Sequence, residues 1–128
     1  SHIPEPLRKY FIFYGELNDP KVIYELLDIF ILSSNSEGSP NVIIESMSYG
    51  IPVVATDVGG VSDIVTNGEN GYLASIDDIN SMTKYCKLLI NNSDLRNKIG
   101  LNGKQFINKN FSEKLMVSEF SKVFKSFL

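Results

Sequence analysis

The sequence predicts an α/β fold, a parallel sheet of about four strands with flanking helices, and three observations carry that expectation. Short apolar runs, "YFIFYG", "IFILSS" and "IPVVAT", alternate with segments of helical pattern. Each run is continuous instead of alternating, the pattern of strands buried on both faces. The intervals between runs are long enough for a helix, and strand, helix, strand at such spacing calls for a parallel crossover.

The elements follow in order. "YFIFYG", Tyr10 to Gly15, is aromatic and apolar and ends at glycine. "DPKVIYELLD", Asp19 to Asp28, supplies a short helix opened by Asp19 with Pro20 at its first position, and "IFILSS", Ile29 to Ser34, supplies the next strand. A second helix starts with Ser39 as cap and Pro40 as first residue, carries Val42, Ile43, Ile44 and Met47 as core candidates, and stops at Gly50. "IPVVAT", Ile51 to Thr56, follows. Glycine pairs at Gly59-Gly60, Asn67-Gly68 and Asn70-Gly71 then mark tight turns before a short strand, "GYLA". The rest reads as three helices, Ile79 to Ile90, Asp94 to Asn108 and Glu113 to Phe127. In the first of these Ile79, Met82, Cys86, Leu89 and Ile90 share a face; in the last Met116, Phe120, Val123, Phe124 and Phe127 form one stripe.

Composition bounds the function. A chain of 128 residues, 43% hydrophobic, is enough for one core, and we expect a single unit over residues 1–128. The net charge is −3 and the basic residues are dispersed, so no nucleic-acid footprint is expected. The single cysteine, Cys86, excludes an internal disulfide and suits a reducing compartment. It reads as a small core side chain. No apolar stretch has the length of a transmembrane helix, and the amino terminus lacks a signal-peptide core.

The segment from Ser33 to Gly60 carries the chemistry. Glu37 lies in a polar loop at the carboxyl end of a predicted strand, and Glu45 lies eight positions later on the helix that follows. Ligands of open parallel sheets bind at the carboxyl ends of strands, and a helix amino terminus offers unpaired N–H groups. Asn41 and Glu45 are four apart and share a helix face that leads back toward Glu37. Two carboxylates beside a row of amides suit a ligand with both hydroxyls and an anion, as a nucleotide sugar has.

"SSNSEGSPNVIIESMSYGIPVVATDVGGVSDIVTNGENGYLA" strongly resembles the signature region of the group 1 family of retaining glycosyltransferases with GT-B architecture. The resemblance rests on an ordered set: Ser-x-x-Glu-Gly-x-Pro, a second Glu eight positions after the first, a Gly-x-Pro-Val strand, a Gly-Gly turn and an Asn-Gly-x-Leu ending. "FYGEL" before it and "LRNKIG…FS" after it extend the similarity over nearly the whole chain.

The resemblance implies a Rossmann-like carboxyl-terminal domain, present here in part as its second, nucleotide-sugar-binding half. Glu37 is then expected beside the donor sugar as the catalytic candidate, and Glu45 at the ribose hydroxyls. Backbone amides of Gly38, Ser39, Asn41 and Val42 are expected at the sugar and diphosphate; Pro40 has no N–H to offer. Ser34, Thr56 and Gly60 are weaker candidates for the same crevice. Asp63 stands where the family more often has Glu in its Gly-Gly-x-x-Glu turn and is read as a cap or solvated acid, and Asp57 as a turn residue.

In the family an Arg and a Lys near the start of the carboxyl-terminal domain steady the leaving diphosphate, and neither metal nor cofactor is needed. Arg8, Lys9 and Lys21 do not sit in a matching motif. The implied partners are a nucleotide diphosphate sugar and an acceptor held by a domain outside this chain. The chain alone is therefore expected to be inactive. Its enzyme is expected in the cytoplasm, at the inner face of the membrane. The family's strand order, 3-2-1-4-5-6, makes "YFIFYG" strand three and "IFILSS" strand four. A homo-oligomer through an exposed strand edge or the carboxyl-terminal helix is a further expectation. Two alternatives stand beside the transferase: a glycoside hydrolase with a carboxylate pair, and an α/β interaction domain without catalysis.

Overall fold

The structure is a computed structural model, and it describes residues 3–11, 21–33 and 40–111. Its helices are α1 (Lys21–Leu26), α2 (Pro40–Ser48), α3 (Ile79–Ile90) and α4 (Ser93–Asn110); its strands are β1 (Phe30–Leu32), β2 (Val53–Thr56) and β3 (Tyr72–Ala74). The described strands form one parallel sheet in the order β1-β2-β3, with Phe30 beside Val53 and Val54 beside Tyr72. The α/β class and the parallel sheet are as the sequence predicts.

β2 is the central strand and all four of its residues are buried. Because side chains alternate across a strand, β2 serves two cores at once. Val53 and Ala55 join Ile43, Ile44 and Met47 of α2, together with Val58, Val61, Ile64, Val65 and Ile107. Val54 faces the other way, with Tyr72, Leu89 and Ile99. Helix α4 reaches both clusters, through Ile107 and Ile99. Each fully buried aliphatic side chain contributes about 1.5–3 kcal/mol relative to exposure, so the sheet is held from two sides.

Pro40 opens α2, and Gly50 ends it in the left-handed region at φ 74°. That conformation costs glycine little and any side chain more. α4 crosses this spot closely: a Cβ on Gly100 would run into the carbonyl of Gly50. Side-chain oxygens cap the next two helices: Asp78 Oδ1 accepts the Ser81 N–H at 3.0 Å, and Asn92 Oδ1 accepts the Leu95 N–H at 3.0 Å. Arg96 closes the carboxyl end of α3, its Nη1 donating to the carbonyls of Leu89 at 2.7 Å and Ile90 at 2.8 Å.

Three expectations need correction or delimitation. Tyr10 is not in a strand: Glu5–Tyr10 forms a 3-10 helix, with proline in its first turn and an Arg8–Glu5 pair at 3.0 Å along it. The remainder of "YFIFYG", the helix-opening Asp19 and Pro20, and the whole carboxyl-terminal stripe from Met116 to Phe127 lie outside the described residues. On α3, Leu89 is buried and Met82 and Cys86 are partly buried, but Ile79 and Ile90 are exposed. The reason is length. Twelve helical residues span about 18 Å, whereas strands of three or four residues span roughly 10–13 Å, so the helix ends overhang the sheet.

Candidate functional site

The carboxyl ends of all three strands border one crevice of about 310 Å³, lined by Ser33, Thr56, Ser75, Asp77, Asp78, Ile79 and Met82. Its construction follows from the chain path. Ser33 directly follows β1, Thr56 ends β2 and Ser75 directly follows β3. Asp77 sits at φ 65°, a left-handed conformation that aspartate adopts more readily than most side chains. Asp78 next to it serves as the α3 cap, its two oxygens accepting from the Ser81 amide and, at 2.7 Å, from the Ser81 hydroxyl. Those bonds hold the Asp78 carboxyl below its usual pKa. Hydroxyls and carboxylates around an apolar floor of Ile79 and Met82 can hydrogen-bond a group rich in hydroxyls.

Helix α2 leaves β1 on the same side, so its amino end lies at the carboxyl edge of the sheet. Pro40 brings no N–H, but the amides of Asn41 and Val42 belong to the first turn, where no intrahelical carbonyl reaches them. Asn41 is exposed and Val42 half-buried.

Glu45, one and a half turns further on, is half-buried and accepts a hydrogen bond from the Tyr24 hydroxyl of α1. Tyr24 is only 7% exposed, and its ring stacks on Tyr49 with centroids 5.4 Å apart. Burial first, and the Glu45 charge second, push the Tyr24 pKa up to about 12. The phenol is therefore a proton donor throughout the physiological range.

Of the residues expected from sequence, Thr56 lies in the crevice, 4% exposed, at the end of β2. Gly60 is exposed in the turn beyond it. Asn41, Val42 and Glu45 share α2. Ser34, Glu37, Gly38 and Ser39 lie outside the described residues. Asp57 behaves as a turn residue whose N–H continues the ladder to the Ala74 carbonyl at 2.8 Å, and Asp63 is an exposed acid closing a short 3-10 turn, Val61–Asp63. Cys86 packs beside the second cluster, and burial raises its thiol pKa.

The sequence reading missed Ser33, Ser75, Asp77, Asp78 and Tyr24. For the first three the available signal was position, one to three residues past a strand; for Tyr24 there was none, because its partner is 21 positions away on another helix. Among the described residues no group of three or more His, Cys, Asp or Glu side chains is placed to hold a metal ion. Nor is any described helix long and apolar enough to cross a membrane.

Comparison with known proteins bears on this geometry. The family model described as glycosyl transferases group 1 matches residues 5–106. The capsular polysaccharide biosynthesis glycosyltransferase CapM of Staphylococcus aureus is 32% identical over 112 residues, which are 88% of this chain and 30% of CapM. An uncharacterized glycosyltransferase of Methanocaldococcus jannaschii is 41% identical over 95 residues, 74% of this chain and 27% of that protein. The chain thus spans about 30% of the length of these curated relatives. Among solved structures, S. aureus TarM in complex with fondaparinux, α-GlcNAc-glycerol and UDP superposes with a TM-score of 0.77 at 27% identity, covering 93% of this chain and 24% of TarM. The carboxyl-terminal domain of LpcC from Francisella tularensis, a group 1 protein, gives 0.70 at 30% identity, covering 79% of this chain and 52% of that one. The fold of this chain is that of a portion of the GT-B glycosyltransferases.

Proposed function

The chain belongs to the group 1 glycosyltransferase family, and from that premise we propose that it forms the donor-binding part of a retaining enzyme that transfers a sugar from a nucleotide diphosphate sugar to an acceptor hydroxyl. One observation carries the reading: the carboxyl ends of three parallel strands and the amino end of α2 lie on one side of the sheet, around a polar crevice. That is where an α/β sheet offers both hydroxyl-binding side chains and free amides. The UDP in the TarM complex supports a nucleotide as the donor's leaving group.

The roles follow from the charge that develops. As the glycosidic bond to the diphosphate breaks, negative charge grows on the departing oxygens, and fixed donors lower the barrier most when they are aimed there in advance. The amides of Asn41 and Val42, with those of Gly38 and Ser39, serve the sugar and the diphosphate. Glu45 accepts the ribose hydroxyls. Glu37 lies beside the sugar and takes part in the transfer. Ser34, Thr56 and Gly60 line the crevice. The acceptor is held outside this chain, so transfer requires the full-length protein. The family membership favours transfer over the hydrolase and interaction-domain alternatives.

The test is a pair of substitutions in the full-length protein. Glu45→Gln is expected to weaken nucleoside diphosphate binding by about 1–3 kcal/mol, the scale of an unmatched charged hydrogen-bond partner. Glu37→Gln is expected to lower turnover of nucleotide sugar more than it lowers nucleotide affinity. Calorimetry that finds UDP, GDP and ADP binding untouched by Glu45→Gln would remove the ribose role, and an absence of nucleoside diphosphate release from any nucleotide sugar would remove the transferase.

A further inference from the structure

Glu45 does not stand alone on its helix. The Tyr24 hydroxyl of α1 bonds to it, and Tyr24 is fixed by burial and by the stack on Tyr49. Ser46, the residue after Glu45, is fully buried with its Oγ donating to the Val42 carbonyl at 2.8 Å. The Glu45 backbone is thus pinned from below and its carboxylate from the side. We infer that Tyr24 is a positioning residue for Glu45: its buried hydroxyl holds the carboxylate in the orientation that receives the two ribose hydroxyls of the donor nucleotide. The inference rests on the ribose role proposed for Glu45.

The geometry leaves room for this. An ionised carboxylate offers about four acceptor positions on two oxygens, so one bond to a phenol leaves the remainder for a diol. A glutamate side chain free on a helix samples many rotamers and loses that freedom on binding, at roughly 0.5–1.5 kcal/mol for an immobilised side chain. A donor already bound to one oxygen removes part of that loss before the nucleotide arrives. The high pKa of Tyr24, about 12, keeps the proton on the phenol and the bond in the correct sense. A phenol serves this purpose better than a lysine would, because it orients the carboxylate without neutralising the charge that the diol recognises.

The distinguishing experiment compares Tyr24→Phe, Glu45→Gln and the double variant in the full-length protein. Binding of UDP, GDP and ADP, and of the 2′,3′-dideoxy form of whichever binds the wild type, is measured by calorimetry. The phenylalanine keeps the ring stack. Tyr24→Phe should weaken the ordinary nucleotide by about fivefold, the scale of one lost hydrogen bond. It should leave the dideoxy nucleotide unchanged, and should add nothing once Glu45 is already Gln. The donor KM should rise while kcat holds. Loss with Glu45→Gln but none with Tyr24→Phe would overturn the positioning role while leaving the ribose role intact. Equal loss for the ordinary and dideoxy nucleotides would also overturn it, since it would show a general disturbance of α1 against α2. No effect from Glu45→Gln would remove the ribose role and the inference with it. Comparing the two ligands on one protein sample keeps the result interpretable even if Tyr24→Phe lowers thermal stability.

Discussion

At the scale of single residues, the Tyr24–Glu45 contact makes alkaline stability a measurable quantity. Tyr24 ionises near 10 in an unfolded chain and near 12 in the fold, chiefly because burial disfavours the phenolate and secondarily because Glu45 repels it. Between those values the unfolded chain binds fewer protons at this site than the folded one, so stability falls as pH rises. The contribution is complete below 10 and is lost progressively toward 12. Tyr24→Phe should therefore flatten the decline in urea midpoint across this window; identical slopes for variant and wild type would place the alkaline loss elsewhere. The contact also shows where sequence reading stops. Glu45 was legible as a candidate because it lies eight residues from Glu37 in an ordered motif. Tyr24 was not, because a hydrogen bond across helices leaves no periodicity in the chain.

At the scale of elements, the runs "IFILSS" and "IPVVAT" and the helix after Pro40 were legible because each is continuous in sequence and bounded by its own punctuation. Element ends were less so: α4 begins at Ser93, where the Asn92 cap sets it, and runs to Asn110. The crossing of α4 over the end of α2 was not legible at all, since nothing local marks Gly100 as a contact. It nonetheless allows a prediction in which two effects compete. Glycine to alanine inside a helix ordinarily gains about 1 kcal/mol in propensity. At Gly100 the new Cβ meets the Gly50 carbonyl and lies 3.0 Å from the carbonyl carbon. Those are backbone atoms of a turn and cannot swing aside. Overpacking of this kind costs about 1–3 kcal/mol, so Gly100→Ala should destabilise on balance. A raised melting temperature for this variant would show that α4 slides along α2 without cost.

At the scale of the whole molecule, one central strand joins two cores and the ligand side lies across its carboxyl end. Val53 and Ala55 feed the cluster under α2, while Val54 feeds the cluster under α3. Neither face can lose its packing without stripping cover from the same four residues of β2. This predicts a single cooperative transition over the described sheet and its helices. Each face has its own reporter: the Tyr72–Tyr85 stack, with centroids 4.8 Å apart, reads one in near-ultraviolet circular dichroism, and amide exchange in α2 reads the other. Met47→Ala on the first face and Leu89→Ala on the second each remove a fully buried side chain. Each should cost about 2–5 kcal/mol. Because the strand is shared, each should lower both reporters together. If Leu89→Ala shifted the tyrosine signal and left α2 exchange in place, β2 would not couple the faces. The strand-end crevice would then depend on one layer only.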